Sequence, residues 1–505
     1  MTGPREGGRG SRVGVAVRAW MIGSALTAGL APAIVARAQE VVTPVLTATA
    51  GASGQGSGAA PRPLTLAEVL ESVDRHFPLL QASRAAQERA VGENIAAQGG
   101  FDLKVGTKGA TQQFGYYQNR LLDVFVEQPT TVLGAIVSAG YSIGRGNFPA
   151  WLGDLETLSD GEFRLGARVP LLRDRDIDGR RAARTRAAAG LEVADAELQK
   201  DRLTFAKEAA SRYWEWVASG HQVGIARELL ELAEQRVDQV AEAVRLGDLA
   251  AVENIDNRRA ILERRSGVVF SEQVIGQAAI ELGLYLRQLT GEPMAVAVDR
   301  LPEFPEPTPL DDEALAAGIA SAQQRRPEIR ALLGKQRQLA VDVRLADNAV
   351  APRLDLSAEY SRDFGEGSVT KQGDELKAAF AFELPLQQRK GEGKQLIAEA
   401  KLRQVDAELR FARDRVRADV ESAAVALRAA YDLVTLVREE VDVARQLQEA
   451  ELERFRLGDS TLLIVNLREL SAASARSREI KVLASFHKAA AAYAVATGTI
   501  ATPTP

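Results

Sequence analysis

The residues best placed to do chemistry are few. Asp174, Asp176, Asp178 and Gly179 follow the opening of a calcium-binding loop, D-x-D-x-D-G. Such a loop closes with a bidentate Glu, which would fall at position 185, and that residue is Thr185. The cluster therefore reads as a turn and helix start. The histidines His76, His221 and His487 lack partners suggesting a nucleophile or a metal. The chain has no cysteine, which excludes a disulfide framework, a thiolate metal site and a lipid-modified N-terminal cysteine. Tyr213, Trp214 and Trp216 are expected to pack at a helix interface or a membrane rim. No enzyme, cofactor or metal site is expected.

Other charged residues alternate with apolar ones. Phe163, Leu165, Ala167, Val169 and Leu171 interleave with Glu162, Arg164 and Arg168. Leu376, Ala378, Phe380, Phe382, Leu384 and Leu386 interleave with Lys377 and Glu383. Weaker alternation precedes each, around Asp102 and Lys104 and around Leu354, Leu356 and Tyr360. Period two over about ten residues fits a strand between lipid and water, and a soluble half-buried sheet uses the same pattern. In the barrel reading Asp102, Lys104, Glu162, Arg164, Arg168, Lys377 and Glu383 face the lumen. Between the first two strands, Leu133, Ala135, Val137, Ala139, Tyr141 and Ile143 also alternate. They allow a further hairpin that either joins the barrel or folds over its mouth.

These strands need elements to hold them, and the long ones are helical. Leu171 to Glu292 and Leu386 to Thr502 contain no proline. Proline costs about 3 kcal/mol inside a helix, so such runs predict very long helices. Each run carries one tetrapeptide near its middle, Arg245-Leu246-Gly247-Asp248 and Arg456-Leu457-Gly458-Asp459. A glycine there ends a helix by turning left-handed, and the following Asp is placed to cap the next one. Val223, Ala226, Leu230, Ala233, Val237, Val240 and Val244 form a 3,4-spaced seam for close antiparallel packing. A continuous helix from Asp178 to Leu246 would rise roughly 100 Å at ~1.5 Å per residue.

The same order occurs twice. Thr65 to Gln98 reads as helix, capped by Thr65 and interrupted at Pro78, with a counterpart from Pro309 to Ala349 interrupted at Pro327. The expected organisation is a signal peptide at 1–38, a flexible leader at 39–63 and a first repeat at 64–290. A Pro-rich linker at 291–309, a second repeat at 310–498 and a tail at 499–505 follow. The first repeat holds strands at about 101–117 and 161–171 and a hairpin at 178–290; the second holds strands at about 353–361 and 375–386 and a hairpin at 391–498. The signal peptide rests on Arg5, Arg9, Arg12 and Arg18, an apolar stretch, and Ala36-Arg37-Ala38 before cleavage. Its removal would leave net charge −9, from 58 basic and 67 acidic residues, so nucleic acid is not an expected partner.

Two repeats of two strands supply four. Four strands cannot close, and lipid does not tolerate an open sheet edge. Bacterial barrels start at about eight strands, so the barrel must be shared between chains. This arrangement resembles the TolC-like outer-membrane factors, the exit ducts of tripartite efflux pumps and type I secretion systems. The resemblance rests on the twin Pro-x-[Leu/Ile]-x-Ala segments, the Pro-Leu pairs ending strands, the twin Arg-Leu-Gly-Asp turns, and the run from Ser460 to Glu469. The fold class it implies is mainly α with β. Two tandem repeats, each helix–two strands–long helical hairpin, form a trimeric 12-stranded outer-membrane β-barrel continued by a periplasmic α-helical barrel.

The resemblance further implies a homotrimer in outer-membrane lipid whose hairpin tips meet a periplasmic adaptor, and through it an inner-membrane transporter. The matching tip residues are Arg245, Leu246, Gly247, Asp248, Arg456, Leu457, Gly458 and Asp459. Beyond the tips, Glu253, Asp256, Arg258, Asn466, Arg468 and Glu469 are the candidate periplasmic gate. Ile464 and Leu467 stand where family members often place acids, a departure that weakens a cation-binding gate. The alternative is a periplasmic coiled-coil scaffold without a channel. Sequence does not separate efflux from protein secretion.

Overall fold

The computed structural model describes residues 62–500. The expected signal peptide, nearly all of the leader and most of the tail lie outside them. Within the described residues, Pro78 and Pro327 sit where helices begin. Helix α1 (Leu66–His76) starts on Thr65, whose hydroxyl accepts the Glu68 amide at 3.2 Å, and ends at Phe77. Pro78 is then the first residue of α2 (Pro78–Gln98), where its missing N–H costs nothing. The second repeat does the same with α6 (Asp312–Arg325) and α7 (Pro327–Val350).

The sheet differs from expectation. Its strands are β1 (Lys104–Gln112), β2 (Asn119–Pro129), β3 (Ile136–Gly146), β4 (Gly161–Pro170), β5 (Arg353–Phe364) and β6 (Asp374–Glu383). They form one six-stranded antiparallel sheet in sequence order. The two-strand expectation fits the second repeat, whereas the first contributes four strands. The cause is the alternating segment around Tyr141, which pairs as β3 with β2 and β4 instead of crossing as a loop. The repeats join at β4–β5, where Leu165 faces Tyr360 in register. Asp102 precedes β1, following a short 3-10 turn, and so stands outside the strand in which it was expected.

From the sheet the chain enters α3 (Gly179–Glu234), α4 (Val237–Leu246) and α5 (Val252–Gly283) in the first repeat. The second repeat supplies α8 (Arg389–Arg456) and α9 (Leu462–Ala496). Asp178 caps α3, its Oδ1 accepting the Arg180 and Arg181 amides at 2.8 and 2.9 Å. The aspartate cluster thus serves as turn and helix start. At 68 residues, α8 spans about 100 Å. The first outer helix was expected to be equally continuous; it breaks at Gln235–Arg236, and the backbone ladder resumes with the Val240 amide on the Arg236 carbonyl. None of the described helices is long and apolar enough to cross a membrane.

The main core lies where short and long helices meet. Leu66, Val69 and Val73 of α1, Leu80 of α2, Trp216 and Val217 of α3 and Leu282 of α5 pack together, all nearly inaccessible. A smaller counterpart gathers Ala322, Ile329, Val416 and Val420. The linker crosses the main core and is held by two imidazoles: His221 contacts the Pro302 carbonyl at 2.9 Å and His487 the Pro305 carbonyl at 3.1 Å. His487 stacks on Trp214, ring centres 4.3 Å apart, and burial lowers its pKa to about 4.

Leu282→Ala is expected to cost about 2–5 kcal/mol, read as a lower unfolding midpoint of the purified protein. His487 should make stability depend on pH. Its folded pKa lies below its unfolded value, so the unfolded state takes up protons first. Its contribution, about 3 kcal/mol, is full above pH ~6.5 and lost as pH falls toward ~4. His487→Phe should flatten that part of the unfolding profile; an unchanged profile would contradict the assignment.

Candidate functional site

Both hairpin tips are built alike. Gly247 and Gly458 have φ of +85° and +83°. In the first tip the Gly247 amide donates to the Val244 carbonyl at 3.2 Å and Asp248 to Ala243 at 2.9 Å. In the second, Gly458 donates to Phe455 at 3.0 Å and Asp459 to Arg454 at 2.9 Å. Both use the same backbone closure, which satisfies carbonyls at the helix end. No atom lies within 4 Å of a Cβ built on either glycine, so the requirement is one of backbone angle alone. Asp248 and Asp459 do not cap the following helices. Those begin at Val252 and Leu462, after Ala251 and Thr461, and neither of these cap residues makes a side-chain cap bond. Leu246 and Leu457 are exposed, while Arg245 and Arg456 pair with Glu242 and Glu453 one turn back.

Behind the first tip lies a buried charge cluster. Glu469 of α9 is paired with Arg236, at the α3–α4 break, and with Arg264 of α5 at 3.0 Å. Asn466 Oδ1 accepts from Arg236 Nη1 at 3.2 Å and Arg264 Nη2 at 3.1 Å. Arg264 Nη1 also donates to the Leu229 carbonyl at 2.9 Å. Two guanidiniums therefore share one carboxylate away from water. Burial, then repulsion from Arg236, bring Arg264 down to about 10, and burial lowers Arg236 as well. Counted from the turn glycines, Arg236 and Arg264 match Leu447 and Ala475 in the second hairpin. There Ala444, Ala472 and Ala475 pack as an apolar seam, and α8 is unbroken.

The structure thus unites Asn466 and Glu469 from the expected gate set. Glu253 and Asp256 line a cavity of about 330 Å³ together with Asn466, Leu467 and Arg259. Arg258 is exposed, and Arg468 belongs to neither group, its Nε buried without a partner. Arg236 and Arg264 escaped the sequence reading, because helical periodicity does not reveal pairs 233 and 205 residues apart. Leu463, Leu467 and Leu470 form an exposed apolar row on α9.

On the sheet, Glu162, Arg164 and Arg168 share a face with Asp363, Ser361 and Ser357 of β5. Lys377 lies opposite Glu359, Glu383 opposite Arg353, and Lys104 opposite Glu127. Arg164 pairs with Asp123 of β2, an acid the sequence reading did not select. The segment 147–160 lies against this polar face. Its Thr157 amide donates to the Gly144 carbonyl at 3.1 Å, its Leu158 amide to Asp363 Oδ1 at 3.0 Å, and its Gly153 carbonyl accepts Lys371 Nζ at 2.8 Å. A Cβ on Gly144 would overlap the Leu155 carbonyl oxygen, so only glycine permits this approach.

A family model described as Outer membrane efflux protein matches residues 318–499, most of the second repeat. Solved structures extend the likeness across both repeats. The outer-membrane channel OprN is 15% identical with TM-score 0.60, the match covering 87% of this chain and 93% of that one. The outer membrane protein VceC from Vibrio cholerae is 17% identical, TM-score 0.58, covering 86% and 97%. The MtrE outer membrane channel of Neisseria gonorrhoeae, in its open state, is 14% identical, TM-score 0.60, covering 86% and 89%. No curated protein matches. The resemblance to TolC-like outer-membrane factors holds: the second repeat fits the family's model, and the fold across both repeats is that of outer-membrane channels.

Glu469→Gln would leave two buried guanidiniums without a counter-charge. A loss of about 3–5 kcal/mol is expected, measured by denaturant unfolding. An unfolding midpoint equal to wild type would show that the cluster is solvated in the assembled protein.

Proposed function

We propose that the protein is the outer-membrane exit duct of a tripartite efflux or type I secretion system, a passive conduit opened by a periplasmic adaptor. One observation carries this reading: a sheet with an apolar face and two bare edges is joined to long helices, of which α8 spans about 100 Å. Leu122, Val124, Phe163, Leu165, Phe380 and Phe382 are exposed on one face, which carries charge only near its loop end, at Arg120, Arg145, Arg362 and Asp374; Glu162, Arg164, Arg168, Lys377 and Glu383 lie on the other. Lipid suits the first face and water the second. The amides and carbonyls of β1 and β6 must be satisfied by sister copies, and the resemblance to the outer-membrane factors makes a homotrimer the working assembly. At the shared edge, Lys104 and Glu383 lie at the same end of the sheet, on its polar face, with opposite charge.

Lys104, Glu162, Arg164, Arg168, Lys377 and Glu383 would keep the lumen wet, with Asp102 at its helix junction. Arg245 to Asp248 and Arg456 to Asp459 would be the adaptor contacts. In the resting state the Arg236–Glu469–Arg264 cluster would hold the outer helix of the first hairpin on α5 and α9. Ile464 and Leu467, both exposed, would narrow the passage with apolar side chains in place of an acidic ring. The adaptor would open it by binding the untwisted arrangement more tightly. The inner-membrane transporter acts through the adaptor and would set the cargo.

Two outcomes are expected. The protein should fractionate with the outer membrane as heat-modifiable oligomers; a monomer soluble without detergent would favour the coiled-coil scaffold. Gly247→Val or Gly458→Val should abolish transport with oligomers intact, since a β-branched residue resists positive φ; full transport by both variants would remove the tips from the adaptor interface.

A further inference from the structure

The hairpin β2–β3 sits inside the sheet, between β1 and β4, and not above it. Nine residue pairs join β1 to β2, from Lys104–Glu127 to Gln112–Asn119. Eleven join β2 to β3, from Asn119–Gly146 to Pro129–Ile136. The hairpin also obeys the alternation of its neighbours. Val124 and Tyr141 lie on the apolar face beside Phe163, and Asp123 and Ser142 on the polar face beside Glu162.

It spans the sheet from end to end. Its turn, with Leu133 and Gly134 at positive φ, reaches the junction with the helices. There Gly134 abuts the Asp174 carbonyl and the Pro170 ring so closely that a Cβ would not fit. At the other end the segment 147–160 folds onto the polar face. It carries Asp154, Glu156 and Asp160 and no basic residue.

We propose that β2–β3 is part of the barrel wall, so that each copy contributes six strands and the exit passage is wider than a four-strand contribution allows. The inference rests on the trimeric outer-membrane reading above. Three copies of six strands make eighteen. Barrel diameter grows roughly linearly with strand number, so the ring is about one and a half times as wide as one of twelve, in the range that leaves an aqueous channel. The segment 147–160 from each copy then projects over that enlarged lumen and narrows its mouth, with Lys371 and Lys377 seated against it. The outer-membrane section so built admits large cargo.

Engineered thiols test this cleanly because the native chain has none. Single variants of the full chain are purified as oligomers in lipid nanodiscs and treated with a charged, water-soluble maleimide. Glu127→Cys and Ser138→Cys should react at least ten times faster than Val124→Cys and Val137→Cys. Leu165→Cys and Arg168→Cys in β4 report on the barrel itself, the first protected and the second reactive. Equal reaction on both faces of β2–β3, with β4 still alternating, would overturn the six-strand wall and leave the duct reading intact. Loss of alternation in β4 as well would overturn both. Electron cryomicroscopy of the same oligomers should count eighteen strands in the ring, and a count of twelve would refute the proposal.

Discussion

A backbone amide in hydrocarbon has nowhere to find a partner except another strand. Under the proposed outer-membrane placement, that constraint governs this sheet. Each strand from β2 to β5 is paired on both sides, while β1 and β6 are paired on one. An apolar face beside two unsatisfied edges is unstable in water and incomplete in lipid as a single copy. Self-association within a membrane removes both difficulties together. The remaining architecture is consistent with that solution: polar side chains on the opposite face, and long helices leaving from one end of the strands.

The helical half obeys a different economy. Its seams use alanine and valine, which let long helices lie close without large rings, and Tyr213, Trp214 and Trp216 gather with Phe77 and Phe205 where α1 and α2 meet the long helices. Against that apolar background the Arg236–Glu469–Arg264 cluster is exceptional. Buried ion pairs are rarely the most stabilising choice at a site, because desolvation offsets attraction. The second hairpin manages with Leu447 and Ala475 at the same positions and an unbroken helix. The charged version coincides with the break in the first outer helix. A contact that is costly to bury and ties three helices is what the proposed opening would have to break.

Much of this was legible in the sequence for reasons of local physics. Pro78 and Pro327 mark helix starts, the repeated Arg-Leu-Gly-Asp marks the reversals, and period two marks β4, β5 and β6. What was hidden depends on pairing at a distance. The alternation around Tyr141 was visible, but whether it joined a wall or a lid depended on the register with Phe163, which periodicity does not specify. Asp248 and Asp459 looked like caps because they follow helix-ending glycines; the chain instead runs three further residues in the first tip and two in the second before the next helix begins, and the two Asp amides close the turns. The Arg236–Glu469 pair is separated by most of two hairpins, and nothing in either segment announces the other.

The most direct measurement is a cysteine bridge across the bare edges. Lys104→Cys and Glu383→Cys stand at opposite edges of one sheet, at least five strand spacings or roughly 24 Å apart, too far to join within a copy. Oxidation of the double variant in outer membranes should give a covalently closed trimer on a denaturing gel. A product that stays monomeric after oxidation, with both thiols still titratable, would contradict completion of the barrel by sister copies.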